Sequence, residues 1–133
     1  VIVASPDYLA GKASIRHPQD LIEHHCLGYK NFERHIWHLS KDDEFESVAI
    51  KCRLTDNEAT ALLHASLNNA GISLQPTYLA NPYIKNGQLY HLLPDWKPND
   101  LKIYVLYSSR KHLSPTIRSL INYLETYFQD ARW

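Results

Sequence analysis

Apolar and polar residues alternate from 48 to 54, in Val48-Ala49-Ile50-Lys51-Cys52-Arg53-Leu54, as in a half-buried strand. The period then changes. Ala59, Leu62, Leu63, Ser66, Leu67 and Ala70 fall on one face of a helix. In front of that stripe, Thr55-Asp56-Asn57-Glu58 has the form of a capping box, Thr55 reaching forward and Glu58 reaching back. Gly71 predicts the helix stop by taking a left-handed conformation. Ile72-Ser73-Leu74-Gln75-Pro76 predicts a short buried strand ended by proline. A helix N-terminus beside a chain crossing is a place to hold an anion.

The same two periods organise the rest of the chain. Val1-Ile2-Val3-Ala4 predicts a buried strand, and Ser5 caps a brief helix opened by Pro6 and ended by Gly11. A second short helix opens at His17-Pro18 and runs through His24, followed by a strand at 26–29. Residues 30–35 predict a polar loop. Strands at 36–39 and 45–54 flank a hairpin turn at Lys41-Asp42-Asp43-Glu44. Residues 78–83 are weakly helical, Asn86-Gly87 is a turn, 89–93 is apolar and 96–100 is a loop. A strong strand is predicted at 101–107. Ser114-Pro115 starts a last helix with the stripe Ile117, Leu120, Ile121, Leu124 and Phe128. Helices and strands mix, so the class is α/β or α+β. Few strands remain to pair with 101–107, as though something were missing upstream.

Composition narrows the function. At 133 residues, one domain is expected. Lys and Arg number 14 against 14 Asp and Glu, which argues against nucleic-acid binding by bulk charge. No long apolar run predicts a membrane span, and no signal peptide is visible, so the expected location is the cytoplasm. The chain opens Val1-Ile2-Val3 without a methionine and is expected to be a piece of a longer protein. Cys26 and Cys52 sit in strand-like segments. They read as buried reduced thiols, with a disulfide between neighbouring strands as the alternative.

Metal and catalytic signals are weak. His24-His25-Cys26 and His35-x-x-His38 supply ligand types, but adjacent side chains diverge and 35 and 38 lie on opposite faces of a strand. No Gly-x-Ser-x-Gly, Walker loop or His-Glu-x-x-His occurs, so no enzyme is expected, and no cofactor or metal either. Residues 107–112 form a short basic patch that reads as a solvated loop. Tyr29 and Trp37 are core candidates that could also line a cleft.

Taken in order, the motifs are similar to a known family. Val3-Ala4-Ser5-Pro6-Asp7-Tyr8-Leu9, His17-Pro18-Gln19-Asp20-Leu21, His25-Cys26-Leu27, Trp37, residues 54–59, Ala70-Gly71-Ile72 and Pro76 resemble the effector domain of LysR-type transcriptional regulators. Gly87-Gln88-Leu89, Leu92-Leu93, Tyr104, Tyr107, Arg110, His112-Leu113-Ser114-Pro115 and Arg118 continue the resemblance over nearly the whole chain. It implies an α/β, periplasmic-binding-protein-like two-lobe fold, with one lobe complete (about 6–74) and the other partial (about 75–133). The crossings would fall near 1–5 and 74–78. It also implies a small-molecule inducer, plausibly a carboxylate, bound between the lobes. Further implications are a homo-oligomer and DNA contact only through a winged helix-turn-helix absent from this chain. The alternative is the solute-binding module of a transport receptor. The effector-site residues so implied are Ser5, Tyr29, Thr55, Asn57, Gln75 and Thr77. The chain departs from the family's pattern at Asp56-Asn57, Asn69, Gln75 and Ser108, so no particular inducer carries over.

Overall fold

β1 (Ile2–Ala4) is buried along its whole length, which places it inside a sheet rather than at a rim. In the computed structural model, which describes residues 1–30, 35–100, 104–106 and 114–130, it pairs antiparallel with two neighbours. These are β6 (Ile72–Leu74) and β7 (Tyr90–Leu92). Beyond β6, in parallel pairing, lie β2 (His25–Tyr29) and β5 (Lys51–Asp56), so the five-stranded order is β5-β2-β6-β1-β7. A second sheet orders β4 (Glu44–Ala49), β3 (Ile36–Lys41) and β8 (Lys97–Pro98), the last falling where a loop was predicted.

The two faces of the large sheet are covered differently. Ile2, Ala4, Cys26 and Ile72 pack with Leu21 of a 3-10 helix (Pro18–Glu23) and with Trp37, Leu39 and Val48 of the second sheet. On the other face Val3 packs with Leu63 of α2 (Ala59–Leu67), Ala80 of α3 (Thr77–Lys85) and Leu89. Two covered faces explain why Ile2-Val3-Ala4 and Cys26-Leu27 are continuous apolar runs rather than alternating ones. α1 (Pro6–Leu9) is a single turn whose cap is the predicted one: the Tyr8 amide donates to Ser5 Oγ.

Three local predictions are corrected. The strand expected over 48–54 is two strands, broken at Ile50, where the chain passes from one sheet to the other. Val48, Ile50 and Cys52 keep a period of two across the break, and the Ile50 amide donates to the His35 carbonyl at 2.7 Å, so alternation carries no mark of the switch. The capping box does not form. Thr55 pairs with Gly28 and Asp56 with Tyr29, which holds both extended; α2 begins after Glu58, with no side-chain cap. The left-handed residue that ends α2 is Asn69 (φ 63°), not Gly71. The Ala70 amide donates to the Ala65 carbonyl and the Asn69 amide to Ser66, a Schellman pair with asparagine in the place glycine usually takes.

Val1–Asn99 and Asp100–Trp133 form two compact units. Within the first unit, β6, α3 and β7 belong with β1 and α2 through one sheet and one core cluster. In the second unit, α4 (Pro115–Asp130) starts as predicted, with the Ile117 amide donating to Ser114 Oγ. Its stripe is not buried: Ile117, Leu120 and Phe128 are exposed. Of the strand expected at 101–107, residues 104–106 carry no strand pairing and are exposed; the remainder lies outside the described residues, as do 31–34 and the basic patch at 107–112.

His24 is buried beside the Tyr8 ring, and among the described residues neither of its ring nitrogens finds a hydrogen-bond partner of good geometry. Burial, then the Lys12 ammonium, lowers its pKa; the Ala13 backbone, Asp20 and Glu23 oppose this. The folded state thus holds the imidazole neutral at a pH where the unfolded chain protonates it. Below the ordinary value of 6.5, unfolding takes up a proton and stability declines with falling pH. His91, also lowered by burial, acts in the same direction. Melting temperatures at about pH 7.5 and about pH 5.5 should differ less in His24→Phe than in the parent chain. An equal loss in both would show that His24 is not a source of the acid sensitivity.

Candidate functional site

β2, β5 and β6 run parallel, so their carboxyl ends, at Tyr29, Asp56 and Leu74, lie on one rim of the sheet. The rim of carboxyl ends is where open α/β sheets bind ligands. α2 follows β5 and α3 follows β6, so both helices start here. Neither start is closed by a capping side chain: the residues preceding them are Glu58 and Pro76. First-turn amides lack the usual helical acceptors; the Leu79 amide already donates to the Pro76 carbonyl at 3.1 Å, and the others leave N–H groups of both helices on this rim.

Side chains around the two starts are held in place. Asp56 Oδ1 accepts from the Glu58 amide at 2.8 Å, and the Asp56 carbonyl accepts from the Lys30 amide at 2.9 Å, tying α2's approach to the end of β2. Gln75 is buried. With its amide oriented to satisfy both atoms, it donates to the Ala59 carbonyl at 3.2 Å and accepts from the Leu63 amide at 3.2 Å and from Ser73 Oγ at 3.1 Å. Ser66 Oγ donates in turn to Ser73 Oγ at 2.8 Å. This buried chain of polar groups links α2 to the strand that leads into α3. Tyr29 is half-buried, and burial, with Tyr78 and Glu58 adding, pushes its phenol up to about 12.

The six residues predicted for the site do not come together. Tyr29, Thr55, Asn57, Gln75 and Thr77 lie on the rim just described; Ser5 lies at the opposite end of the sheet. β1 runs antiparallel to β6, with Ile2 opposite Leu74 and the Gln75 amide bonded to the Val1 carbonyl. Ser5 is thus about 13 Å from Val1 along the strand, at about 3.3 Å per residue. Ser5 Oγ donates to Asn69 Oδ1 at 2.7 Å, beside an open pocket of about 250 Å³ that Asp7 and Gln88 also line. Of the other five, Gln75 is consumed by internal bonds. Thr55 and Asn57 are exposed and Thr77 is half-buried at α3's first position. Trp37, the other cleft candidate, is core.

Two residues of the rim were not predicted, Glu58 as an unused carboxylate and Tyr78 as an exposed aromatic at α3's second position. Glu58 was read as half of a capping box. Tyr78 carried one signal, its place two residues after the proline that ends a strand.

Comparison with known proteins converges on one kind of molecule. The sequence profile of the LysR substrate binding domain matches residues 1–129. The "Probable HTH-type transcriptional regulator SinR" of Salmonella typhimurium is 32% identical over 129 residues, which is 94% of this chain and 41% of that protein. The chain thus spans about two fifths of the length of that curated relative. Full-length AphB, a virulence activator of Vibrio cholerae and a member of the LTTR family, superposes with a TM-score of 0.82 at 26% identity, over 96% of this chain and 44% of its own. The regulatory domain of AphB from Vibrio vulnificus gives 0.74 at 31% identity, over 96% and 63%. The fold is thus that of the regulatory domains of such regulators, of the periplasmic-binding-protein kind, and the chain belongs to the LysR substrate binding domain family.

Proposed function

We propose that this chain is the effector-sensing part of a cytoplasmic LysR-type transcriptional regulator, and that its effector is a small carboxylate held on the rim formed by β2, β5 and β6. The observation that carries the reading is the pair of uncapped helix starts, α2 and α3, on that one rim. N–H groups and the positive end of a helix dipole favour a carboxylate there. Asn57, Thr77 and Tyr29 supply polar side chains beside them. The work is binding rather than catalysis. An effector that prefers one arrangement of the regulator shifts its population, and with it the geometry of a homo-oligomer on DNA. DNA contact itself belongs to a part of the regulator outside this chain.

Titration of the 15N-labelled chain with mono- and dicarboxylates, using their amides as controls, tests the site. Shifts should concentrate in the amides of residues 57–61 and 77–79 and be absent with the uncharged controls. Shifts centred on residues 5–7 and 69 instead would move the site to the opposite end and overturn the assignment. The chain alone should give no sequence-specific mobility shift with promoter DNA.

A further inference from the structure

We propose that residues 11–15 form a strap over His24 that opens when the imidazole takes up a proton, so that this end of the protein loosens in mild acid while the sheet and its helices stay folded. The strap lies at the amino end of β2, which His25 begins, and the effector rim lies at the other end, at Tyr29. The switch is therefore separate from the effector site.

His24 is 3% exposed, and among the described residues neither ring nitrogen has a hydrogen-bond partner of good geometry. Buried polar atoms normally find one, so this pocket tolerates a neutral ring and resists a charged one. The Tyr8 ring of α1 stands 6.2 Å away, and the Ala13 backbone, on the strap, is close enough to act on the imidazole. The charged groups that act on it are Lys12 of the strap and Asp20 and Glu23 of the 3-10 helix. Burial first, and Lys12 second, oppose a proton; the Ala13 backbone and the two carboxylates favour one. Lifting the strap admits water and carries Lys12 away, while both carboxylates stay on the 3-10 helix. The two obstacles to protonation are removed in one movement.

The strap is lightly fastened between two firm ends. Before it, the Ala10 amide donates to the Pro6 carbonyl at 3.0 Å. After it, Asp20 Oδ2 accepts from the Arg16 amide at 2.8 Å and the His17 amide at 2.9 Å. Those amides hold the Asp20 carboxyl below its ordinary range, so this anchor keeps its charge in mild acid. Between the ends, among the described residues, the one backbone hydrogen bond runs from the Lys12 amide to the Leu9 carbonyl at 3.1 Å. Residues 11–14 are exposed, and Ile15 is half-buried against the core. The Lys12 ammonium sits 4.8 Å over the Tyr8 ring, an exposed contact of modest strength. Gly11, at φ 73° with open space around it, suits a pivot. A segment with few backbone bonds and little buried apolar surface opens before the fold does. Once open, the imidazole regains its ordinary value of 6.5. Below that pH, opening takes up a proton and gains at most about tenfold in its equilibrium per pH unit.

The test is NMR of the isotope-labelled chain from about pH 7.5 to about pH 5. The His24 ring should titrate with a midpoint below 6.5, and the amide shifts of residues 12–15 should follow the same midpoint. Heteronuclear NOEs of 12–15 should fall on the acid side. Those of Arg16 and His17, held by Asp20, and of β1, β6 and α2 should not change. His24→Phe should abolish the response at 12–15. Lys12→Gln, a change at an exposed position, should raise the midpoint toward 6.5, and keeps the test decisive if His24→Phe fails to fold. A His24 ring that titrates without a response at 12–15, or one that stays neutral throughout, overturns the switch. So does a loss of order that spreads to β1, β6 and α2 in step with the strap, which is global unfolding. A midpoint unmoved in Lys12→Gln, or a strap response that persists in His24→Phe, overturns it as well.

Discussion

Gly71→Ala should cost about 3 kcal/mol of stability, from backbone strain and overpacking together. Gly71 has φ 157°, a conformation L side chains rarely adopt, and a Cβ there would stand 2.5 Å from the His25 carbonyl oxygen and 3.2 Å from its carbon. That carbonyl cannot retreat. His25 starts β2, and the Tyr8 hydroxyl grips it on both sides, accepting from its amide at 2.9 Å and donating to its carbonyl at 3.3 Å. Gly28→Ala is the informative contrast. Its Cβ would meet Cys52 Sγ at 2.6 Å, but a thiol at the end of a side chain can rotate away, so the cost should be clearly smaller. Urea unfolding would show a lowered midpoint with an unchanged slope for Gly71→Ala. A midpoint within error of the parent chain would mean that β2 and the turn before β6 can separate, contrary to the packing described.

Gln75→Leu should cost about 2 kcal/mol, the penalty of leaving buried polar groups without partners. The amide spans Ser73 Oγ, the Ala59 carbonyl and the Leu63 amide inside a region closed to water. Leucine fills a similar volume but leaves the Ser73 hydroxyl, which still accepts from Ser66, without the acceptor Gln75 offers its own proton. Removing that hydroxyl as well should restore part of the loss, so Ser73→Ala with Gln75→Leu should be less damaging than the sum of the two single changes. Strict additivity in the thermodynamic cycle would show that the buried chain is not one coupled network. Gln75 also lies behind the first turns of α2 and α3. Its loss should therefore weaken ligand binding at the rim more than its distance from solvent suggests.

Much of the framework was legible before any coordinates. The stripe of α2 proved to be its buried face, with Leu62, Leu63 and Ser66 inside. The hairpin turn at Asp42-Asp43, the caps at Ser5 and Ser114 and the strand after Gly71 all formed where local chemistry placed them. These are short-range features: each needs only neighbours within a few residues, so the sequence carries the whole cause. The same explains why Asn69 was misread. Asparagine and glycine both tolerate the left-handed region, and only the close approach of His25 tells which of the two positions needs the absent side chain.

The site was less legible, because its membership depends on strand direction. Ser5 and Thr55 each stand at the edge of a strand and a helix, and nothing local says that β1 runs against β6 while β5 runs with it. That one difference sends Ser5 to the far end of the sheet.

By itself, then, the sequence determined most of the elements, their order and the family resemblance, since periodicity, local caps and motif spacing are properties of nearby residues. Only the tertiary structure decided that the start of α2 is uncapped, that Gln75 is bonded to α2 and Ser73, and that the carboxyl ends of β2, β5 and β6 share one rim. Those outcomes follow from pairing and burial between residues far apart in the chain. They give the stretch from 48 to 76 a sharper meaning than a capped helix beside a crossing: it is one side of a rim built from three parallel strands, with an uncapped helix start on it.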